Sequence, residues 1–341
     1  MKKAFVTGIT GQDGAYLAKY LLGRGYKVFG GMRRSSSPND SRILGLGISD
    51  HENLHLIDFD LLDPGSLSRI ISGIDPDEIY NLAAQTFVGV SFDQPNLTSQ
   101  VSGIGFLNIL DAVRTAGSNA RIYQASTSEM YGLVQEIPQN EMTPFYPRSP
   151  YAVAKLYAHW MGVNHRESYG MFVASGILFN HESPLRGLEF VTRKITDFVA
   201  QYKLGQSQSL KLGNLSAERD WGYAPEYVEG MHLMLQHEIP DTFVLSTGKT
   251  STVRDFAKWS FEAAGIELKF EGSGLDEVGI NSQTGERVIS VDSKFFRPSE
   301  VEILIGDSSK AKTQLNWEAK TSVQELARIM VEADVARHSL N

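Results

Sequence analysis

Ala4-Phe5-Val6-Thr7-Gly8-Ile9-Thr10-Gly11-Gln12-Asp13-Gly14 is an apolar run that halts at glycines and opens onto Tyr16-Leu17-Ala18-Lys19-Tyr20-Leu21-Leu22, a helical pattern. Strand, glycine turn and helix in that order make a phosphate cradle. Glycines let the backbone approach a pyrophosphate, and the helix N-terminus favours its charge. Turns use glycine freely, so the motif gains its weight from the strand before it and the helix after it. Gly8, Thr10, Gly11, Gln12, Asp13 and Gly14 are therefore the first candidate cofactor residues.

Outward from this turn, strand and helix signals alternate. Lys27-Val28-Phe29, Leu54 to Ile57, Glu78 to Leu82, Ile122 to Ala125 and Ala174 to Phe179 read as further strands. Helical patterns separate most of them. This alternation predicts an α/β fold: a doubly wound, Rossmann-type parallel sheet covered on both faces. After Asn180 the pattern loosens, with helices expected at Tyr227 to Gln236, Val253 to Gly265 and Val323 to Ala336. Phe243-Val244-Leu245 reads as a strand that returns to the first sheet, and Glu271 to Glu286 as a long surface loop. The expected division is residues 1–179 plus about 220–248 for the dinucleotide domain. A smaller, discontinuous α/β domain takes about 180–219 plus 249–341.

The second strand ends Gly30-Gly31-Met32-Arg33-Arg34-Ser35-Ser36-Ser37. An NAD site usually has an acid here for the ribose hydroxyl. Two arginines and three serines suit a 2′-phosphate instead, which favours NADP. The plainer reading is a solvated basic loop. Asp60, with Leu61 after it, is a candidate for the adenine amino group, although an aspartate at a strand end is also an ordinary turn residue.

Two segments carry chemistry: Arg121 to Glu129 (RIYQASTSE) and Tyr151-Ala-Val-Ala-Lys155. Tyr151 and Lys155 stand four apart and share a helix face. Thr127 and Glu129 stand two apart and share one face of an extended segment. An ammonium lowers a phenol's pKa, so Tyr151 can act as a base on an alcohol while Thr127 hydrogen-bonds the same oxygen. Hydride transfer alone needs no second base; Glu129 adds one. The plain alternatives are a β-branched strand residue for Thr127 and an exposed helix-start acid for Glu129.

Composition narrows the remaining classes. The chain has 341 residues, 42% apolar, with net charge −8 and no cysteine. The acidic balance argues against a nucleic-acid partner. Without cysteine there are no disulfides, thiolate metal sites or cysteine nucleophiles. The eight histidines show no metal-ligand spacing, so no metal is expected, and His181 beside Glu182 reads as structural or substrate-adjacent. No run approaches a membrane span, and the apolar stretch behind Met1-Lys2-Lys3 is too short for a signal peptide. A soluble, unprocessed, cytoplasmic protein is expected.

The chain resembles the extended short-chain dehydrogenase/reductases, and among them the dehydratases of GDP-sugars. The resemblance rests on Thr7 to Gly14, Arg33 to Ser37, Tyr123 to Glu129, Thr143 to Lys155, Gly176 to Pro184, Phe190 to Ile195, Arg219 to Gly222 and Phe296 to Val301. It implies oxidation of GDP-mannose at carbon 4, loss of water across carbons 5 and 6, and hydride return to carbon 6, the chemistry behind GDP-fucose or GDP-rhamnose. It implies substrate contacts at Thr86, Ser128, Asn180, Arg186, Lys194, Arg219, Arg297 and Glu300. It also implies a homodimer or homotetramer in which the Arg33 to Arg42 loop reaches a neighbouring subunit's cofactor. Thr86 departs from the family's usual serine, so another GDP-hexose or a heptose stays open as substrate. The alternatives are an epimerase or 4-keto-reductase, which needs no carboxylate at position 129, and a non-catalytic NADP sensor.

Overall fold

In the computed structural model, which describes residues 1–295 and 303–339, the apolar runs of the first half become strands of one parallel sheet. They are β1 (Lys3–Thr7), β2 (Lys27–Met32), β3 (Leu54–Asp58), β4 (Glu78–Asn81), β5 (Arg121–Thr127) and β6 (Val173–Leu178), joined by Thr242–Leu245 as the seventh. The order is Thr242–Leu245, β6, β5, β4, β1, β2, β3. Neighbours are parallel throughout, with Ala4 opposite Val28 and Glu78, and Ile122 opposite Val173. Every residue of β6 is buried, as a strand covered on both faces requires. On one face Leu67, Ile71, Phe106, Ile109 and Ala158 pack with Phe5, Ile79 and Ile122 of the sheet. The strand order reverses between β1 and β4, and such a switch point leaves a crevice at the strands' carboxyl ends.

The chain divides into two compact units. The first is Met1–Phe179, Ala224–Leu245 and Gly306–Glu318; the second is Asn180–Tyr223, Ser246–Ile305 and Ala319–Asn341. Gly306–Glu318 thus lies in the first unit, where the sequence reading placed everything after 248 in the second. The reason is local. Lys310 Nζ reaches the Asp241 carboxylate at 2.5 Å and the Thr242 carbonyl at 2.9 Å, and Trp317 Nε1 donates to the Glu226 carbonyl at 2.8 Å.

The second unit gathers the helices Val191–Lys203, Val253–Ala263 and Val323–Ser339 around Ile195, Phe198, Phe256, Phe261, Leu326 and Met330. The stretch expected to be a surface loop instead carries one strand, Val278–Asn281, of a four-stranded sheet. Leu268–Glu271 and Val278–Asn281 pair antiparallel, and the latter pairs with Arg287–Val291. Acid-rich composition concealed the pairing. Glu277 is buried because the Arg254 guanidinium takes both its oxygens, at 2.5 and 2.8 Å, and Val288 and Ile289 supply the apolar face.

Candidate active site

The glycine turn has the conformation its sequence demands. Gly8 has φ +67°, and a Cβ there would lie 2.9 Å from the Ala83 backbone. At Gly14 a Cβ would sit 2.3 Å from the Gly8 carbonyl oxygen, so only glycine lets the helix Gln12–Leu22 press this close to the turn. No side chain caps that helix at Gly11, and the positive end of its dipole favours an anion there. The next loops leave the same carboxyl edge of the sheet. Arg33, Arg34 and Ser35 are exposed, and Arg34 approaches Asp58 only at 3.8 Å. Asp60 lies two residues past the end of β3 and is exposed. Its Oδ1 accepts from the Leu62 amide at 2.9 Å, while Leu61 is buried.

A chain of polar side chains crosses the strand ends. Thr7 Oγ1 donates to Asn81 Oδ1 at 2.8 Å, Asn81 Nδ2 donates to Gln124 Oε1 at 2.7 Å, and Gln124 Nε2 donates to the Ala125 carbonyl at 3.3 Å. That carbonyl also accepts from Lys155 Nζ at 2.8 Å. The sequence reading missed Thr7, Asn81 and Gln124. Their signal was available: Thr7 and Asn81 are polar residues at the last positions of β1 and β4, Gln124 lies inside β5, and a buried polar group needs a partner.

Lys155 and Tyr151 occupy the first turns of the helix Pro150–Tyr169. Ser149 starts it by accepting from the Ala152 amide at 3.1 Å, and Pro150 brings a helical φ to the first turn. The two side chains share a face as expected, with Lys155 Nζ 5.9 Å from the Tyr151 ring centre. Both are buried. Burial lowers the Lys155 ammonium from 10.5 to about 8, against a smaller upward pull from the Asp13 charge.

Thr127 and Glu129 do not share an extended face. β5 ends at Thr127, and Ser128–Met130 form a 3-10 turn that Thr127 caps, its Oγ1 accepting from the Glu129 amide at 3.3 Å. The cap bends the chain, because a threonine followed by two residues able to coil offers a turn in place of the ladder. Glu129 is nevertheless only 8% exposed, unlike an ordinary helix-start acid. β5 and this turn both pack against the helix Pro150–Tyr169, which brings all four residues onto three adjoining elements. Ser128 Oγ is buried with no hydrogen-bond partner. Thr86 is exposed, just before the helix Val88–Asp93.

The other candidates belong to the second unit. Asn180 opens a short strand paired with Trp221, and Arg219, 6% exposed, lies opposite Ser251. Arg186 Nε pairs with Glu182 at 3.1 Å, its guanidinium 3.5 Å over the Phe190 ring. Lys194 Nζ donates to the Lys211 carbonyl at 2.7 Å and lies 3.7 Å over Phe295. Arg297 and Glu300 lie outside the described residues. Among the described residues no cluster could hold a metal ion, and no helix is long and apolar enough to cross a membrane.

A seven-stranded parallel sheet, a glycine turn after β1 and Tyr-x-x-x-Lys beside β5 define a Rossmann-type protein of the short-chain dehydrogenase/reductase kind. A sequence model described as GDP-mannose 4,6 dehydratase matches residues 5–330, and the chain belongs to that family, whose enzymes are hydro-lyases. It is 52% identical over 350 residues to a GDP-mannose 4,6-dehydratase of Yersinia enterocolitica, covering 98% of this chain and 94% of the relative. It is also 52% identical over 338 residues to a GDP-mannose 4,6 dehydratase of Homo sapiens, covering 97% and 91%. Two solved structures share the fold. RMD from Pseudomonas aeruginosa, complexed with NADPH, has TM-score 0.78 and 23% identity, covering 99% of this chain and 100% of that one. A dTDP-glucose 4,6-dehydratase of Streptomyces venezuelae, with NAD and TYD bound, has TM-score 0.82 and 20% identity, covering 99% and 98%.

Proposed function

We propose that this chain is an NADP-dependent dehydratase converting GDP-mannose to GDP-4-keto-6-deoxymannose, and that its first unit holds the cofactor and its second the nucleotide-sugar. The observation that carries this is the buried Glu129 carboxylate on a turn packed against the helix of Tyr151 and Lys155. The cofactor fits the residues present: a cradle at Gly8 and Gly14 too tight for a Cβ, an uncapped helix start, and the exposed Arg33 and Arg34 for the 2′-phosphate. When bound, NADP supplies the reversible two-electron acceptor that the reaction borrows and repays within one turnover.

The protein's own groups handle the protons. Tyr151 removes the proton of the carbon 4 hydroxyl as that carbon is oxidised, and Lys155 stabilises the phenolate. Thr127 hydrogen-bonds the resulting carbonyl. The carbonyl acidifies carbon 5, and Glu129 takes that proton and delivers it to the carbon 6 hydroxyl, which leaves as water. Tyr151 returns its proton to carbon 5 as carbon 6 is reduced. Oxidation and reduction cancel, so the net change is loss of one water. Asn180, Arg186, Lys194 and Arg219, with Arg297 and Glu300, are the proposed contacts to the GDP moiety and sugar; an arginine fork suits the pyrophosphate. A cytoplasmic setting and a homodimer or homotetramer belong to the same proposal. The cysteine-free composition supports the cytoplasmic setting.

The test is incubation of purified protein with GDP-mannose and no added reductant. A dehydratase removes one water from the sugar. An epimerase leaves the mass unchanged, a reductase consumes NADPH, and a cofactor sensor does nothing; any of these three overturns the proposal.

A further inference from the structure

We propose that His159 is a positioning residue for this reaction, fixing through Ser126 where the end of β5 presents Thr127 and Glu129 to Tyr151 and Lys155. The inference rests on the catalytic reading above. Residues 151, 155 and 159 are four apart, so the three side chains lie along one face of the helix Pro150–Tyr169. Lys155 Nζ holds the Ala125 carbonyl at 2.8 Å. One turn further on, His159 Nδ1 shares a hydrogen bond of 3.0 Å with Ser126 Oγ. The ladder to β6 sets the register of this strand end, with Ser126 opposite Ile177 and Thr127 opposite Leu178. The two side chains, one helical turn apart, tie the same strand end at successive residues to the helix that carries Tyr151. The very next residue is Thr127, the cap of the turn that carries Glu129.

The other edges of the imidazole extend this hold. It meets Phe145 edge-on at 5.4 Å and Trp160 at 5.6 Å, and Phe145 packs at 5.2 Å on Tyr131, the residue just past the turn. The connection from Tyr131 to Ser149 is itself folded back. Leu133 N donates to the Tyr146 carbonyl at 2.9 Å, Tyr146 N to the Met130 carbonyl at 3.2 Å, and Tyr131 Oη to the Asn140 carbonyl at 2.7 Å. One ring therefore touches the strand leading into the Glu129 turn and the segment leading out of it. His159 and Ser126 are each only 3% exposed, so no water competes for the bond. Burial, with the Arg166 charge, lowers the histidine from 6.5 to about 4, so it stays neutral and the tie persists across ordinary working pH. An apolar side chain of similar size would fill the same space and leave Ser126 Oγ buried without this partner.

The experiment compares His159→Leu, His159→Asn and Ser126→Ala with wild-type protein. For His159→Leu we expect kcat on GDP-mannose to fall about 10- to 100-fold, the scale for displaced reacting groups, with KM changed by less than about twofold. The kinetic isotope effect with GDP-mannose deuterated at carbon 5 should rise, because the step that depends on Glu129 becomes slower. An amide at the Nδ1 position can renew the bond, so His159→Asn should recover most of kcat. Ser126→Ala should reproduce the leucine variant, and the double variant should be no worse than either single change. A folded His159→Leu protein with unchanged kcat and isotope effect overturns the proposal, as does a loss confined to KM, or an asparagine variant no better than leucine. Should the leucine variant not fold, Ser126→Ala, which removes one oxygen, decides alone. If wild-type protein does not dehydrate GDP-mannose, the catalytic reading fails separately. Amide hydrogen exchange at residues 126–130 then decides the tie: about 10-fold faster in His159→Leu supports it, and no change overturns it.

Discussion

Replacing Lys155 by methionine should make the protein more stable while removing its activity. Lys155 is 3% exposed, and burial lowers its ammonium from 10.5 to about 8. At about 1.4 kcal/mol per pH unit, that drop is a cost to folding of about 3 kcal/mol. Methionine keeps most of the apolar stem and carries no charge. It gives up the 2.8 Å bond to the Ala125 carbonyl, worth about 1 kcal/mol, and that oxygen keeps the Gln124 amide at 3.3 Å. The net expectation is about 2 kcal/mol of stabilisation near pH 7. Over 341 residues, with an unfolding entropy of about 2.1 cal/mol/K per residue, this raises Tm by about 3 °C, and by more if the first unit melts alone. The pH dependence identifies the cause. Below about 8 the lysine is protonated in both the folded and unfolded chain, and the whole penalty is present. Between about 8 and 10.5 the folded protein releases a proton that the unfolded chain keeps, so wild-type stability rises relative to the variant. Above that window the wild type should be ahead by its extra hydrogen bond. Thermal melts of both cofactor-free proteins across this range, with GDP-mannose turnover measured in parallel, make the test. A variant less stable at neutral pH, or a Tm difference that does not move with pH, would refute the reasoning.

Glu129→Gln should retain NADP binding and lose water elimination by about 100-fold or more; full turnover by mass spectrometry removes Glu129 from the mechanism. Arg33 and Arg34 changed together to alanine should weaken NADP more than NAD in titration calorimetry, and an equal loss for both contradicts the 2′-phosphate assignment. Gly14→Ala places a Cβ 2.3 Å from the Gly8 carbonyl oxygen, so it should cost about 1–3 kcal/mol in denaturant unfolding and weaken the cofactor. His232, buried beside Tyr26 and Glu78, has its pKa lowered from 6.5 chiefly by burial. As pH falls below about 6.5 the unfolded chain gains a proton that the fold refuses, so stability should drop, and His232→Gln should flatten that slope in melts at successive pH values.

What the sequence determined by itself was whatever depends on near neighbours along the chain. Apolar runs such as Ala4-Phe5-Val6 and Ala174 to Phe179 read as strands of a sheet covered on both faces, and the strands β1 and β6 lie there. Gly8 and Gly14 announced a tight turn because no other residue fits there, and Tyr151 and Lys155 share a face because helices repeat every 3.6 residues. Long shared motifs placed the family before any coordinate did.

Contacts between distant segments were decided only in three dimensions. The threonine cap that ends β5 turned Glu129 onto a 3-10 turn, where a two-residue periodicity had placed it on a strand. Arg254 holds Glu277 just before a strand that its acid-rich surroundings disguised as a loop. Lys310 and Trp317 carried a C-terminal segment into the first unit. The links from Thr7 through Asn81 to Gln124, and from Ser126 to His159, join residues 74, 43 and 33 positions apart. Periodicity describes one element at a time, whereas a buried polar group is satisfied by whichever partner the fold brings alongside it.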